Sequence, residues 1–281
     1  MAITYLIPVQ PSVWAFAPAP AGSVELAAPF DASPVHRNRV AAILALLGSA
    51  ASASRPHTRL LEIGCGAGHV AARLARAGYD VTGIDIHRPS VDAARACYPV
   101  PRLAFDCVPV SAVDLQPYPC LVLTEVLEHV RLWEPMLRDL HAAARPDARL
   151  IVTVPNGWGV TEVLCRPSYG LKRWPVGIRF VQAVKRQLRT RDLTTADPGT
   201  PHVHFFTLGR LVRGFAAAGW SVEAWGRMFW LWPAWETFFS ERPAPPAWAA
   251  RDFARSQRLP PRLAALWAFR LVKAPAPRPR P

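Results

Sequence analysis

Residues 123–130 read LTEVLEHV and set two carboxylates and an imidazole, Glu125, Glu128 and His129, into otherwise apolar sequence. On a helix, positions i, i+3 and i+4 share one face. The spacing therefore gives either a helix start with a polar lip or a site that holds a ligand.

A second chemical signal lies upstream. LLEIGCGAGHV places Gly64, Gly66 and Gly68 between an apolar run and a helical pattern. Glycines at such a junction let the backbone turn sharply and let a ligand rest against bare amides. A dinucleotide fingerprint would space them GxGxxG, but here the third glycine comes one residue early and His69 follows it. Glu62 stands two residues before the first glycine. Asp85, in GIDI, follows about twenty residues on, where a carboxylate accepts both hydroxyls of a ribose. Ribose recognition is common to several nucleotides, so Asp85 does not choose among them. Glu62 together with the GxGxG spacing does.

These residues need a scaffold that brings strand ends together. HRNRVAAILALLGSA has the periodicity of a helix. After it, RLLEIG, DVTGID, RLAFD, CLVLTE and ARLIVTVP read as strands, separated by helical HVAARLARAG, SVDAARACY and EPMLRDLHAAA. Strands alternating with helices imply a parallel sheet covered on both faces. The pattern breaks from about 156 to 201, then resumes with helical FTLGRLVRGFAAAGW and strand SVEAWG. LAALWAFRLVK, near the end, reads as a short apolar helix with basic ends. The domain expectation is a Pro/Ala-rich lead over 1–33, a catalytic domain over 34–232 and a Pro-rich, aromatic and basic tail over 233–281.

EIGCGAGHVAARLARAGYDVTGIDI resembles the first two motifs of the class I S-adenosylmethionine-dependent methyltransferases, and the resemblance runs from about residue 59 to 226. It implies an α/β, Rossmann-like, doubly wound and mostly parallel seven-stranded sheet whose last strand is antiparallel, here with a helical insertion and an irregular C-terminal tail. It implies S-adenosyl-L-methionine as cofactor. By position, Gly64, Cys65, Gly66 and Gly68 would face its methionine part and Asp85 its ribose, with Glu62 in the same set. Ile86 would pack on adenine, Asp106 and Cys107 would border the adenine edge, and Thr124 and Glu125 would close the methionine side. This ligand carries no phosphate, so the missing P-loop lysine is consistent, and its sulfonium suits a pocket lined by carboxylates.

EVLEHV resembles the fourth motif of the ubiquinone-biosynthesis O-methyltransferases and, more distantly, that of the small-RNA 2′-O-methyltransferases. In those families a Glu-x-x-Glu-His triplet and a downstream histidine are associated with a divalent cation. The resemblance implies a Mg²⁺, Mn²⁺ or Zn²⁺ site from Glu125, Glu128, His129 and His204, with His202 an equal candidate for the last place. Such a cation would lower the pKa of a bound hydroxyl. His129, Glu128 and His204 are also the catalytic candidates. His129 as a general base without a cation, or a purely structural triplet, stays open.

Bulk properties bound the rest. The 281 residues carry a net charge of +13, and residues 166–191 hold eight Lys or Arg and no acid. That charge fits a solvated basic surface, or contact with an anionic membrane, an anionic substrate or nucleic acid. GIRFVQAVKRQLRTR in this stretch reads as a basic amphipathic helix, either a lid over substrate or a peripheral membrane contact. The 30 prolines, about twice the usual share, cluster at both ends. Five scattered cysteines without a CxxC pair suit small core residues in a reducing compartment. No apolar run is long enough to span a bilayer, so a cytoplasmic protein, peripheral to the membrane at most, is expected. FWLWPAWETFF is a packing patch, a substrate wall or a lipid contact. Aromatics are not interleaved with basic residues on a strand face, so nucleic acid is not an expected partner. The expected acceptor is a small-molecule, lipid-linked or glycan hydroxyl. The rival readings are a nicotinamide-dependent oxidoreductase and a non-catalytic cofactor-binding protein at the membrane.

Overall fold

The computed structural model describes residues 33–48, 58–171, 202–239 and 246–274, with positions 176, 179, 183 and 187. The lead over 1–32 and most of the basic segment between 172 and 201, including the expected amphipathic helix, lie outside the described residues.

The chain begins with α1 (Pro34–Leu47), which Ser33 caps by accepting from the His36 amide, with Pro34 in the first turn. Both are preferred helix-start residues. Five strands then alternate with helices: β1 (Arg59–Ile63), α2 (His69–Arg76), β2 (Asp80–Ile84), α3 (Arg88–Cys97), β3 (Leu103–Asp106), β4 (Cys120–Thr124), α4 (Trp133–Ala143) and β5 (Arg149–Pro155). After Arg59, every residue of β1 is buried, as is every residue of β5 after Arg149. Continuous burial of that kind marks strands covered on both faces. Next come α5 (Val160–Leu171), α6 (Leu208–Ala217), β6 (Trp220–Met228), α7 (Trp232–Phe239), α8 (Pro246–Ser256) and β7 (Leu266–Lys273).

The sheet order is β3-β2-β1-β4-β5-β7-β6. Strands β1 to β5 pair in parallel, and β7 runs antiparallel to both β5 and β6. The expected α/β fold, a mostly parallel seven-stranded sheet, is what forms. The strand order reverses direction between β1 and β4, and in open α/β sheets the crevice beyond the strand carboxyl ends at such a point is where ligands bind.

Two expectations about the C-terminal part are corrected. LAALWAFRLVK is not a helix, since residues 266–273 form β7 in the interior of the sheet. A short apolar run does not reveal by periodicity whether it is a buried strand or a buried helix. Trp267, Phe269 and Leu271 favour the strand because it is packed from both sides. The fold therefore does not end at residue 232 with an irregular tail. Asp252 of α8 accepts hydrogen bonds from the amides of Trp230, Leu231 and Trp232 and so caps α7. Within the aromatic stretch Phe229 and Trp232 are buried, and Trp232 and Trp235 both meet Trp248 of α8 with ring centres 5.0 and 5.1 Å apart.

Two apolar layers flank the sheet. One joins α1, α2 and α3 with Phe229, Trp232 and Phe253. The other joins α4 and α6 through Trp133, Leu137, Leu211 and Phe215. In the second layer Gly214 of α6 lies directly on the buried Trp133: a Cβ there would stand 2.0 Å from the indole edge. Interiors packed this closely do not absorb an added methyl. Gly214→Ala is expected to lower stability by about 1–3 kcal/mol, read as a lower midpoint in urea denaturation.

Candidate active site

The carboxyl ends of β1, β2 and β4 meet around the glycine turn. Gly64, Gly66 and Gly68 all have positive φ, at 75°, 51° and 80°. Two of them are also needed for space. A Cβ on Gly64 would lie 2.7 Å from Val126 Cγ2, and one on Gly68 would lie 2.5 Å from the Phe105 ring. The turn is pinned by the Gly64 and Cys65 amides, which both donate to Ile84 O at 2.8 and 3.0 Å. The Cys65 side chain points into the core, and burial pushes its thiol well above the usual range. Its Sγ lies 3.7 Å from Gly66 O.

Asp85 organises the next side. Its Oδ2 accepts from the Gly66 amide at 2.9 Å and its Oδ1 from the His87 amide at 2.8 Å. Each oxygen keeps a lone pair for a further donor. Ile86 beside it is 77% exposed, as an apolar platform for a flat ring would be. Asp106 is an exposed carboxylate 3.7 Å from Arg95, whose guanidinium also donates to Phe105 O. Cys107 Sγ lies 3.7 Å from Ile86 O. Asp85, Ile86, Asp106 and Cys107 thus share one end of the crevice.

Glu62 is buried beneath the turn. Desolvation raises its pKa to about 8, hydrogen bonds from the Ala71 amide and the Thr124 hydroxyl oppose the rise, and the Asp85 charge adds to it. Its Oε2 and the neighbouring Thr124 Oγ1 are both shut off from solvent.

The acid–histidine triplet does not lie on a helix. Helix α4 starts at Trp133, after the triplet, and residues 127–129 form turns in which the His129 amide donates to Val126 O. The helical spacing argument is therefore corrected: the residues are gathered by a tight turn and by a distant segment. Glu125 has a positive φ of 53°. It accepts from Thr153 Oγ1 at 3.0 Å and pairs with Arg39 Nη2 at 3.3 Å. Glu128 is buried, and its carbonyl accepts from the amides of both Val203 and His204 at 2.8 and 3.1 Å. Its carboxyl pKa is raised well above the ordinary value, first by burial and then by the Glu125 charge, with Glu162 adding and Arg39 opposing.

That backbone contact turns the return segment over residues 202–206, which has no regular structure. The two histidines consequently diverge. His202 stands edge-on to His129, ring centres 4.8 Å apart, and its Nδ1 donates to Glu162 Oε2 at 3.0 Å. Ligand atoms of Glu128, His129 and His202 all lie within 4.8 Å of one another. His204 turns away, with Nε2 3.1 Å from Arg131 O and its ring against Phe206. Of the expected set, Glu128 and His129 come together with His202, the equal candidate for the last place, while Glu125 pairs with Arg39 and His204 lies apart.

Sequence reasoning missed Arg39 and Glu162. Arg39 comes from α1, before the first strand, and Glu162 from the first turn of α5, inside the irregular stretch. Neither sits in a motif, and only the folding of α1 and α5 over the strand ends brings them to the site.

The family model described as a methyltransferase domain matches residues 35–224, more than half of the chain. A ubiquinone biosynthesis O-methyltransferase of Bradyrhizobium diazoefficiens is 32% identical over 159 residues, covering 52% of this chain and 63% of that protein. A protein of the same name from Bordetella avium is 32% identical over 128 residues, covering 44% and 49%. The matches thus span from about half to under two thirds of these relatives' length. Among solved structures, an S-adenosylmethionine-dependent methyltransferase of Mesorhizobium loti superposes with a TM-score of 0.50 at 13% identity, covering 86% of this chain and 99% of that one. That likeness is one of fold. With a family match that runs from α1 into β6, and with the strand order and glycine turn described above, this chain belongs to the methyltransferase-domain family.

Proposed function

We propose that the chain transfers a methyl group from S-adenosylmethionine to a hydroxyl oxygen of a small-molecule, lipid-linked or glycan acceptor. The observation that carries this reading is the adjacency of two unlike sites. A glycine turn with Glu62 and Asp85 suits a cationic nucleoside, and directly beyond Glu125 lies the cluster of Glu128, His129 and His202. Two relatives bear the name ubiquinone biosynthesis O-methyltransferase, which favours oxygen as the accepting atom.

The cofactor supplies an electrophilic methyl on a sulfonium. The protein's task is to position donor and acceptor in line and to exclude water. Asp85 would hold the ribose, Ile86 the adenine face and Glu62 the cationic side of the methionine. Arg39 and Glu125 form one ion pair across the rim. An amino acid end carries the opposite charge to each, so binding it would exchange one ion pair for two.

On the acceptor side, a divalent cation would act as a Lewis acid on the attacking oxygen. The donor set fits one: Glu128 offers a buried Oε2 with no hydrogen bond, and two imidazoles stand beside it. Glu128, His129 and His202 would hold the ion, while Glu125 is left to Arg39 and the cofactor side.

Calorimetry with S-adenosylhomocysteine tests the reading. Binding is expected for the wild type, and Arg39→Met should weaken it about 10- to 30-fold, the worth of one charge-assisted contact. Affinity for 5′-methylthioadenosine, which lacks the amino acid end, should not change in that variant. Absence of S-adenosylhomocysteine binding to the wild type would refute the proposed activity.

A further inference from the structure

We propose that Glu162 is a positioning residue of the acceptor site: its carboxylate holds His202 by Nδ1 and thereby presents Nε2 to a divalent cation shared with Glu128 and His129. The inference rests on the cation half of the proposed function and assigns a role to a residue outside the triplet.

Glu162 is 6% exposed, an unusual place for a carboxylate. His202 Nδ1 lies 3.0 Å from its Oε2. A carboxylate only accepts, so in a neutral imidazole this bond places the N–H on Nδ1 and leaves the lone pair on Nε2. A carboxylate behind a ligating histidine is the arrangement that fixes ring and tautomer at a metal.

The independent observation is on the other side of the cluster. The Glu128 side chain is buried, and its Oε2 has no hydrogen-bond partner. It shares a space with His129 and His202 small enough for one ion, their ligand atoms lying within 4.8 Å of one another.

Helix α5 shows why His202 needs an anchor. The return segment over residues 202–206 belongs to no strand, so no ladder sets the direction of its side chains. Positions 162 and 166 lie one turn apart on the same helix face. Glu162 takes His202, while the Arg166 guanidinium lies over both Trp158 and Phe205, 4.1 and 4.7 Å from their ring centres. The helix thus grips the segment at two points, and the first grip determines which imidazole nitrogen faces Glu128.

The test titrates the full chain with Mn²⁺ alone, a cation with little affinity for the five thiols, following loss of the free-ion paramagnetic resonance signal. The wild type is expected to bind one ion at the site, with binding lost in Glu128→Gln and in His202→Ala. Glu162→Gln, whose amide oxygen still accepts from Nδ1–H, should weaken Mn²⁺ by about 10-fold, and Glu162→Ala by up to about 100-fold. S-adenosylhomocysteine affinity and the denaturation midpoint should stay at wild-type values in the Gln variant, which separates positioning from folding. Wild-type Mn²⁺ affinity in both Glu162 variants, with Glu128→Gln and His202→Ala still defective, overturns the role of Glu162 and leaves the cation site standing. A wild type that takes up no ion, or keeps it in Glu128→Gln and His202→Ala, removes the cation site and this inference with it, while S-adenosylhomocysteine binding reports separately on the cofactor reading.

Discussion

Asp85→Ala is expected to lower affinity for S-adenosylhomocysteine at least about 100-fold, because two charge-assisted hydrogen bonds to a ribose, each contributing roughly 1.5–3 kcal/mol, disappear together. The geometry explains why the loss is large. The Gly66 and His87 amides hold one carboxylate oxygen each, so the group is fixed before any ligand arrives and loses little freedom on binding. Removing it also frees the Gly66 amide, and with it one restraint on a turn that runs through three positive-φ glycines. Asp85→Asn should fall between the two, since its amide nitrogen would face one of the two backbone N–H groups. Calorimetry on the three proteins reads the series. Binding by Asp85→Ala within threefold of wild type would remove Asp85 from the cofactor site.

Glu62→Gln is expected to stabilise the cofactor-free protein and to weaken cofactor binding. Burial raises the Glu62 pKa from an ordinary 4.5 to about 8. Between these values the unfolded chain has released the proton and the folded chain keeps it. Wild-type stability therefore falls as pH rises from 4.5 to 8 and levels off above that. Gln cannot ionise, so the variant lacks this decline. At about 1.4 kcal/mol per pKa unit, the gap in its favour at pH 9 is on the order of 3–5 kcal/mol, and it closes below pH 4.5. Thermal denaturation across this pH range checks both ends.

Binding runs the other way. The positive end of the cofactor favours the charged carboxylate, so at pH 7 wild-type binding should release up to one proton from Glu62. Calorimetry in two buffers of different ionisation enthalpy would show this. The variant should release none and should bind roughly 10- to 100-fold more weakly, the usual worth of a charge-assisted contact in a buried setting. Equal pH profiles for the two proteins would mean that Glu62 is not protonated in the folded state.

The proposed cofactor half of the site was legible because its residues are local. Glu62, Gly64, Gly66 and Gly68 lie within seven positions, and a strand–turn–helix junction leaves their backbone few conformations. Asp85 ends the adjacent parallel strand, whose register, Ile63 beside Ile84, carries it to the turn. The alternation of short apolar runs with helical patterns likewise identified β1 to β6, of which β1, β4 and β5 are nearly continuous buried runs while β3 and β6 are only partly buried.

The proposed acceptor half was only partly legible. Glu128 and His129 are neighbours in the chain, but nothing in HVH chooses between His202 and His204. That choice comes from the Glu128 carbonyl, which accepts the amides of Val203 and His204 and turns the segment, and from Glu162, which takes His202. Arg39 reaches Glu125 from 86 positions away in the chain only because α1 packs against β5, β6 and β7.

The sequence by itself therefore determined the parallel strand–helix framework, the glycine turn and the carboxylates beside it, because short-range backbone geometry and the burial pattern of each strand are written in adjacent residues. Only the tertiary structure decided that the C-terminal apolar run is the antiparallel strand β7, that Arg39 faces Glu125, and that Glu128, His129, His202 and Glu162 form one cluster. Those outcomes depend on packing between segments far apart in the chain, where the same residue types serve equally well as helix or strand, partner or bystander, until the neighbouring surface is in place.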